Sequence, residues 1–232
     1  LSAHFNYGSS FRIPTLYQQI ISRFYHFNDD LGNELMMEYK RNLEIGFAIS
    51  DNQAKATTHY EVTSAIFHNS YKNKFRTIQL SGSPLTFLDN RADASILGFE
   101  TAASASFLQK LFIFNISFSK YLISEKAAFP FKSDRKLTTS ISLNYRGFNL
   151  ELMWYSEAQR IGWVYVPSGG IQELSLPEFS NIDLHVKKSF EFWRCKCFGS
   201  FSGRNLLNKQ LVLEGIAIRD RRLYFTVGIE FE

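Results

Sequence analysis

The chain lacks the features that define several large classes of protein. No stretch approaches the roughly 20 consecutive apolar residues that a spanning helix requires, so a helical membrane protein is excluded. Its formal charge is only +4, from 26 Lys and Arg against 22 Asp and Glu. These basic residues are scattered rather than clustered, and no nucleic-acid footprint emerges. There are two cysteines among 232 residues. Cys195 and Cys197 stand at i and i+2, where a strand would hold their Cα atoms about 7 Å apart, a poor distance for a disulfide. No second cysteine pair completes a zinc site, so they read as small strand residues rather than a metal or redox pair. The first residues, Leu1 to Tyr7, have neither the basic start nor the continuous apolar core of a signal peptide. Low-complexity tracts and helical repeats are also missing.

What is present is aromatic side chain, with 23 Phe and 11 Tyr, and an alternating pattern. In Leu137 to Tyr145, the odd positions are Leu137, Thr139, Ile141, Leu143 and Tyr145; the even ones are Thr138, Ser140, Ser142 and Asn144. Phe148, Leu150, Leu152 and Trp154 repeat this against Asn149 and Glu151. Ile182, Leu184 and Val186 alternate with Asp183, His185 and Lys187, and Leu223, Phe225, Val227, Ile229 and Phe231 with Thr226, Gly228 and Glu230. Period two is the mark of a strand with one apolar and one polar face. Such segments occupy 1–8, 38–50, 55–69, 92–107, 110–122, 136–146, 148–160, 178–189, 194–204 and 221–231, about ten strands if 74–81 continues the strand at 55–69.

Short and long connections alternate between them. The tight ones fall at Asp51-Asn52, Gln109-Lys110, Arg146-Gly147 and near Glu191; the long ones cover 9–37, 82–91, 123–135, 161–177 and 205–220. An up-and-down meander in the outer membrane has this asymmetry, with short periplasmic turns and long outer loops. A soluble β-sandwich has no reason to place every long loop at one end. Tyr145, Trp193 and Phe231 at the tight-turn end, and Tyr121 and Trp163 toward the other, read as interfacial aromatics. The expected fold is therefore all-β, an antiparallel up-and-down transmembrane β-barrel. Such a protein must be exported, so without a signal at Leu1 we expect the chain to begin partway through a longer protein.

The segment Tyr7-Gly8-Ser9-Ser10-Phe11-Arg12-Ile13-Pro14-Thr15-Leu16-Tyr17 resembles the strand-to-loop motif of TonB-dependent outer-membrane receptors. Glu38, Glu44 and Gly46-Phe47 keep the spacing of that family's next strand, although its two prolines are absent. Asn90 to Glu100, Arg146-Gly147-Phe148-Asn149-Leu150, Leu176 to Leu184 and Asn205-Leu206-Leu207-Asn208-Lys209 resemble later family segments in the right order. The last strand ends like the family's closing strand, with Glu232 added after the aromatic. The resemblance implies that residues 1–232 form one partial barrel domain, the last ten or so of roughly 22 strands. It implies a receptor or transporter fragment for TonB-dependent uptake of a siderophore-like metal chelate, haem or a vitamin-like nutrient, in the bacterial outer membrane. The implied partners are outer-membrane lipid and lipopolysaccharide, a small nutrient ligand, and the TonB complex through a plug domain outside this chain. An alternative is a stand-alone ten-stranded barrel acting as a small porin, adhesin or lumen-edge hydrolase; ten is an allowed even number.

Little else in the chain suggests chemistry. Asp183 and His185 share a strand face, and a Ser-His-Asp reading competes there with a merely wet lumen wall, which we favour. His4, His26, His59, His68 and His185 show no metal spacing. His26, in the first long loop, is where haem receptors of the family can place a ligand. Ser168-Gly169-Gly170 precedes no helix and is no phosphate cradle. Arg219-Asp220-Arg221-Arg222 could meet lipopolysaccharide phosphates or an anionic chelate, but reads first as a solvated loop base. We expect no enzyme, no catalytic residue, no metal and no cofactor, and the ligand-capture surface in 12–36, 123–135, 161–177 and 205–220.

Overall fold

The computed structural model describes residues 1–25, 35–51, 57–83, 85–90, 93–168, 170–192, 195–213, 216–218 and 220–231. Ten antiparallel strands form one continuous sheet. In chain order they are β1 (Ser2–Arg12), β2 (Glu38–Asp51), β3 (His59–Lys72), β6 (Ala94–Phe107), β7 (Phe112–Ile123), β8 (Arg135–Tyr145), β9 (Phe148–Glu157), β12 (Phe179–Phe192), β13 (Cys195–Arg204) and β16 (Arg222–Phe231). Each pairs with its predecessor and successor in this series. The meander expected from the alternation is thus present, and among the described residues β1 and β16 are its two unpaired edges.

Register shows what the alternation does. Ile49, Val62, Ala103, Ile116, Thr139, Trp154 and Ile182 lie side by side across seven strands. One residue along, Ala48, Thr63, Ala102, Ser117, Thr138, Tyr155 and Asn181 form the facing row on the other side. Successive strand residues point to opposite faces, so the sheet has one mainly apolar and one mainly polar surface. Among the described residues nothing covers the apolar surface: Phe47 is 52% exposed, Ile141 47% and Phe225 75%. A soluble sandwich would bury this face against a second sheet. On the polar face, three rings lie over the glycine directly opposite: His4 over Gly46, Phe67 over Gly98, and Phe198 over Gly228. A Cβ on any of these glycines would collide with the ring.

All described long connections leave from the same end. The tight ones lie opposite, as between β8 and β9, where Arg146 (φ 45) and Gly147 (φ 74) make the two-residue left-handed turn that suits a twisted hairpin. The turn at Asn52 and Trp193 falls outside the described residues. Several expectations need correction. Strand β1 runs on to Arg12 rather than stopping at residue 8, because its backbone keeps pairing with β2 down to Glu38. The segment at 74–81 does not prolong β3, since Asn73 takes a left-handed φ of 53 and turns the chain aside. It forms β4 (Phe75–Leu80), which pairs with β5 (Thr86–Asn90).

The other long connections are also structured. The first contains α1 (Leu16–Tyr25), whose Thr15 Oγ1 accepts the Gln18 amide while Gln18 Oε1 accepts the Thr15 amide, a reciprocal cap. Segment 161–177 holds β10 (Arg160–Val166) and β11 (Gly170–Leu176), and 205–220 holds β14 (Leu211–Leu213) and β15 (Ile216–Ile218). Tyr121 is not an interfacial aromatic. It points to the polar face, is 8% exposed, and its hydroxyl donates to Glu100 Oε1 at 2.6 Å. Trp163 belongs to the outer hairpin β10–β11, above the sheet. Tyr145, 53% exposed on the apolar face at the tight-turn end, sits where expected.

The orientation of the faces can be tested in the intact protein refolded into vesicles. Ile141→Arg, mid-strand on the apolar face, is expected to cost about 2–4 kcal/mol in urea unfolding. Ser142→Arg, on the polar face opposite Glu151, is expected to cost little. Equal losses would contradict the assignment.

Candidate ligand-capture site at the outer end

The polar face carries hydrogen-bonded pairs along its height. Glu44 Oε1 meets His4 Nε2 at 3.2 Å and accepts Asn6 Nδ2 at 3.1 Å. Asn115 Nδ2 donates to Ser140 Oγ at 3.0 Å. His185 Nδ1 meets Ser202 Oγ at 2.7 Å. Asp183 does not complete a triad with them: its Oδ1 accepts Asn181 Nδ2 at 2.7 Å and the Asn205 amide at 2.8 Å. That carboxylate fixes the entrance to the last outer loop. Among the described residues, no group of three or more His, Cys, Asp or Glu is arranged to hold a metal ion. Cys195 and Cys197 are free and share the apolar face, while His26, Gly169 and Arg219 lie outside the described residues. Asp220 and Arg222 pair with each other.

At the outer end four connections are joined into one body. The two hairpins β4–β5 and β10–β11 merge through a parallel pairing of Gln79 with Val164 and Leu80 with Tyr165. The Ser81 amide extends it, donating to Tyr165 O at 3.0 Å. Helix α1 is tied on by Ser22 Oγ, which donates to Leu88 O at 2.6 Å. The 124–134 connection joins where the Phe131 amide donates to Ile161 O at 2.6 Å and its ring covers Gly162. Below it, Phe129, Ala128, Tyr121, Ile96 and Ala94 make a small buried apolar cluster. Lys132 Nζ lies 4.0 Å from the centre of the Tyr121 ring. Burial, and then the charge of Lys136, draws its pKa below the usual lysine value.

Buried charges lock this body in place. Arg76 Nε donates to Asp89 Oδ1 at 2.9 Å, a second guanidinium contact closes on Oδ2, and the group stacks 4.6 Å from the Trp163 ring. Glu38 Oε2 takes Lys74 Nζ at 2.8 Å and the Phe75 amide at 2.6 Å. Glu157, only 4% exposed, receives Lys136 at 3.1 Å, Arg160 at 3.3 Å and the Tyr155 hydroxyl at 2.7 Å. Between the hairpins lies a hollow of about 550 Å³, lined by Gln79, Ser81, Ser83, Val164, Gln172 and Glu173. Gln79 is 3% exposed, and its Oε1 has no partner while Nε2 donates to Ser83 O. A buried acceptor left unpaired is costly, and Gln79 Oε1 is enclosed rather than open to the hollow.

Of the expected capture segments, 12–36, 123–135 and 161–177 come together here, whereas 205–220 stands apart as its own hairpin. Reading the sequence missed β4–β5 as a partner in this body. The alternation in Phe75–Leu80 and Thr86–Asn90 around Ser81-Gly82-Ser83 was the available signal.

The sequence matches the family model described as TonB dependent receptor-like, beta-barrel, over residues 1–206. No curated protein sequence matches the chain. Among solved structures, the pyoverdine outer membrane receptor FpvA from Pseudomonas aeruginosa PAO1 superposes with a TM-score of 0.66 at 15% identity, over 97% of this chain and 33% of that one. The copper transporter OprC gives 0.63 at 12% identity, over 98% and 36%. The siderophore receptor PirA from Acinetobacter baumannii gives 0.55 at 14% identity, over 84% and 32%. The chain spans about a third of the length of these structures.

Breaking the central ion pair should loosen the outer body without disturbing the strands below. Asp89→Ala leaves the Arg76 charge buried and unpaired, at a cost of about 3–5 kcal/mol. Hydrogen exchange at the β4 and β5 amides should accelerate accordingly, with β7 and β8 unchanged. Unaltered exchange in β4 would show that the pair does not hold the body together.

Proposed function

This chain belongs to the TonB-dependent receptor β-barrel family, and from that membership we propose that it is the C-terminal part of an outer-membrane receptor that imports a small nutrient with energy drawn through TonB. Residues 1–232 form one partial barrel domain, and the open edges of β1 and β16 pair with strands supplied by the rest of the protein. The observation that carries the reading is the joined outer body standing over a polar sheet face whose reverse is apolar. A ligand held by the outer connections would pass along the polar face, while the apolar face meets outer-membrane lipid, lipopolysaccharide included. Structural neighbours that bind ferripyoverdine or transport copper support a metal or metal-chelate cargo. A plug domain outside this chain would couple it to TonB.

The role needs no bond-making chemistry, so we read the protein as a transporter and not an enzyme. A closed ten-stranded barrel is the second reading, and it requires β1 to hydrogen-bond to β16. The two stand at opposite ends of the sheet order, which favours the receptor.

Whole-cell uptake of radiolabelled iron chelates, copper and haem tests the proposal, comparing the parent strain with one lacking this gene and one lacking TonB. Uptake of one cargo should fall to background in both mutants. Uptake that survives loss of TonB would overturn the receptor reading in favour of a passive pore. Excising 76–89 and 161–175 together should abolish binding of that cargo while the protein still inserts as a heat-modifiable barrel.

A further inference from the structure

At one level of the polar face, Glu61, Ser104, Asn115, Ser140, Met153 and Asp183 stand side by side across β3, β6, β7, β8, β9 and β12. Every member of this row except Met153 carries a side-chain oxygen. Met153 is 38% exposed, so it is not there to fill a core. The chain has three methionines. The other two, Met36 and Met37, precede β2 at the outer end. A half-exposed thioether among hydroxyls and carboxylates gains little from burial and accepts hydrogen bonds only weakly. It is, however, a soft metal donor.

The next row toward the tight-turn end supplies its neighbours. Ser142, Glu151, His185, Ser202 and Tyr224 stand opposite one another in turn. His185 on β12 and Met153 on β9 are therefore diagonal neighbours, with Cα atoms about 7–8 Å apart, a span that two long side chains close from both sides. His185 Nδ1 meets Ser202 Oγ at 2.7 Å. That contact fixes the ring and leaves Nε2 facing the open side, the arrangement in which an imidazole ligates a metal. Glu151 stands directly opposite His185, and no hydrogen bond or ion pair among the described residues holds its carboxylate.

By register the nearest cations on this face are Lys187 and Arg204. Lys187 Nζ lies 4.7 Å from the centre of the Phe198 ring, toward the tight-turn end. Arg204 stands two residues outward of Ser202. The nearest carboxylates are Glu151 and Asp183, the latter engaged by Asn181 and the Asn205 amide. Two charges of each sign leave no net field, so what this patch selects is decided by donor type. Thioether with imidazole suits a cuprous ion, whereas harder divalent ions want more oxygen or nitrogen donors. The described residues bring no three or more His, Cys, Asp or Glu together for such an ion.

We propose that Met153 Sδ and His185 Nε2 bind a cuprous ion on the polar face. Glu151 is the third donor, and Ser202 is the positioning residue that aims the imidazole. This rests on the transport reading and deepens it: the cargo passing along this wall is a bare soft metal ion.

The test uses the full-length protein in maltoside micelles, with Ag(I) as a redox-inert stand-in for Cu(I) and chloride-free titration calorimetry as the readout. The reference protein and every variant carry Cys195→Ala and Cys197→Ala, because those free thiols on the apolar face would take silver themselves. Met153→Leu and His185→Gln should each weaken silver binding at least about tenfold, and Ser202→Ala about tenfold, with Ser202→Thr restoring it. Met37→Leu should bind like the reference, and Zn(II) should not displace the silver. X-ray absorption of the Cu(I)-loaded protein should show a sulfur neighbour that Met153→Leu removes. Equal silver binding by the reference and Met153→Leu, both folded as heat-modifiable barrels, would overturn the site and leave the receptor reading standing. Displacement by zinc would overturn the soft-donor assignment. Silver binding through Met153 in a protein whose copper uptake persists without TonB would uphold the site and overturn the receptor reading instead.

Discussion

The backbone hydrogen bonds of the ten-stranded sheet are the constraint on which everything else depends. In hydrocarbon an unpaired amide has no water to turn to, so each strand must be paired along its length. That requirement keeps β1 to β16 in one continuous antiparallel sheet and fixes the side-chain alternation. With pairing settled, the side chains are free to divide: phenylalanine, leucine and isoleucine outward, serine, threonine and asparagine inward. The sheet needs no buried core of its own, and the buried hydrophobic clusters are built on Ala94, Ile96, Phe129, Leu35, Phe75 and Leu88, at the outer end.

The outer body reverses that economy. Beyond the band the connections lie in water and must hold themselves together, which they do with a small sheet, a capped helix and buried ion pairs. Arg76 with Asp89 and Glu157 with Arg160 and Lys136 are costly to desolvate and are retained where geometry matters. We read them as devices that fix the positions of the loops rather than as sources of net stability. The parallel contact between β4 and β10 has the same consequence, because it makes two separate connections move as one. Connections joined in this way hold Gln79 and its neighbours in a set arrangement.

The two faces of the sheet differ in chemistry. One is polar, with carboxylates, imidazoles and amides paired along it. The other is mainly apolar.

The sequence alone determined the strands, the two faces and the end from which the long connections leave, because a period of two is written residue by residue and survives any rearrangement of the whole. Leu137 to Tyr145 could be read this way without a neighbour in view. The sequence could not determine what the long connections do with one another. That β4 turns away from β3 at Asn73, that Tyr121 faces inward onto Glu100, and that Gln79 meets Val164 across 85 residues of chain all depend on contacts between distant segments with no local period to announce them. The placement of the Phe67 ring over Gly98 is of the same kind. It follows from the register between two strands, and register is set by the tertiary pairing rather than by either strand alone.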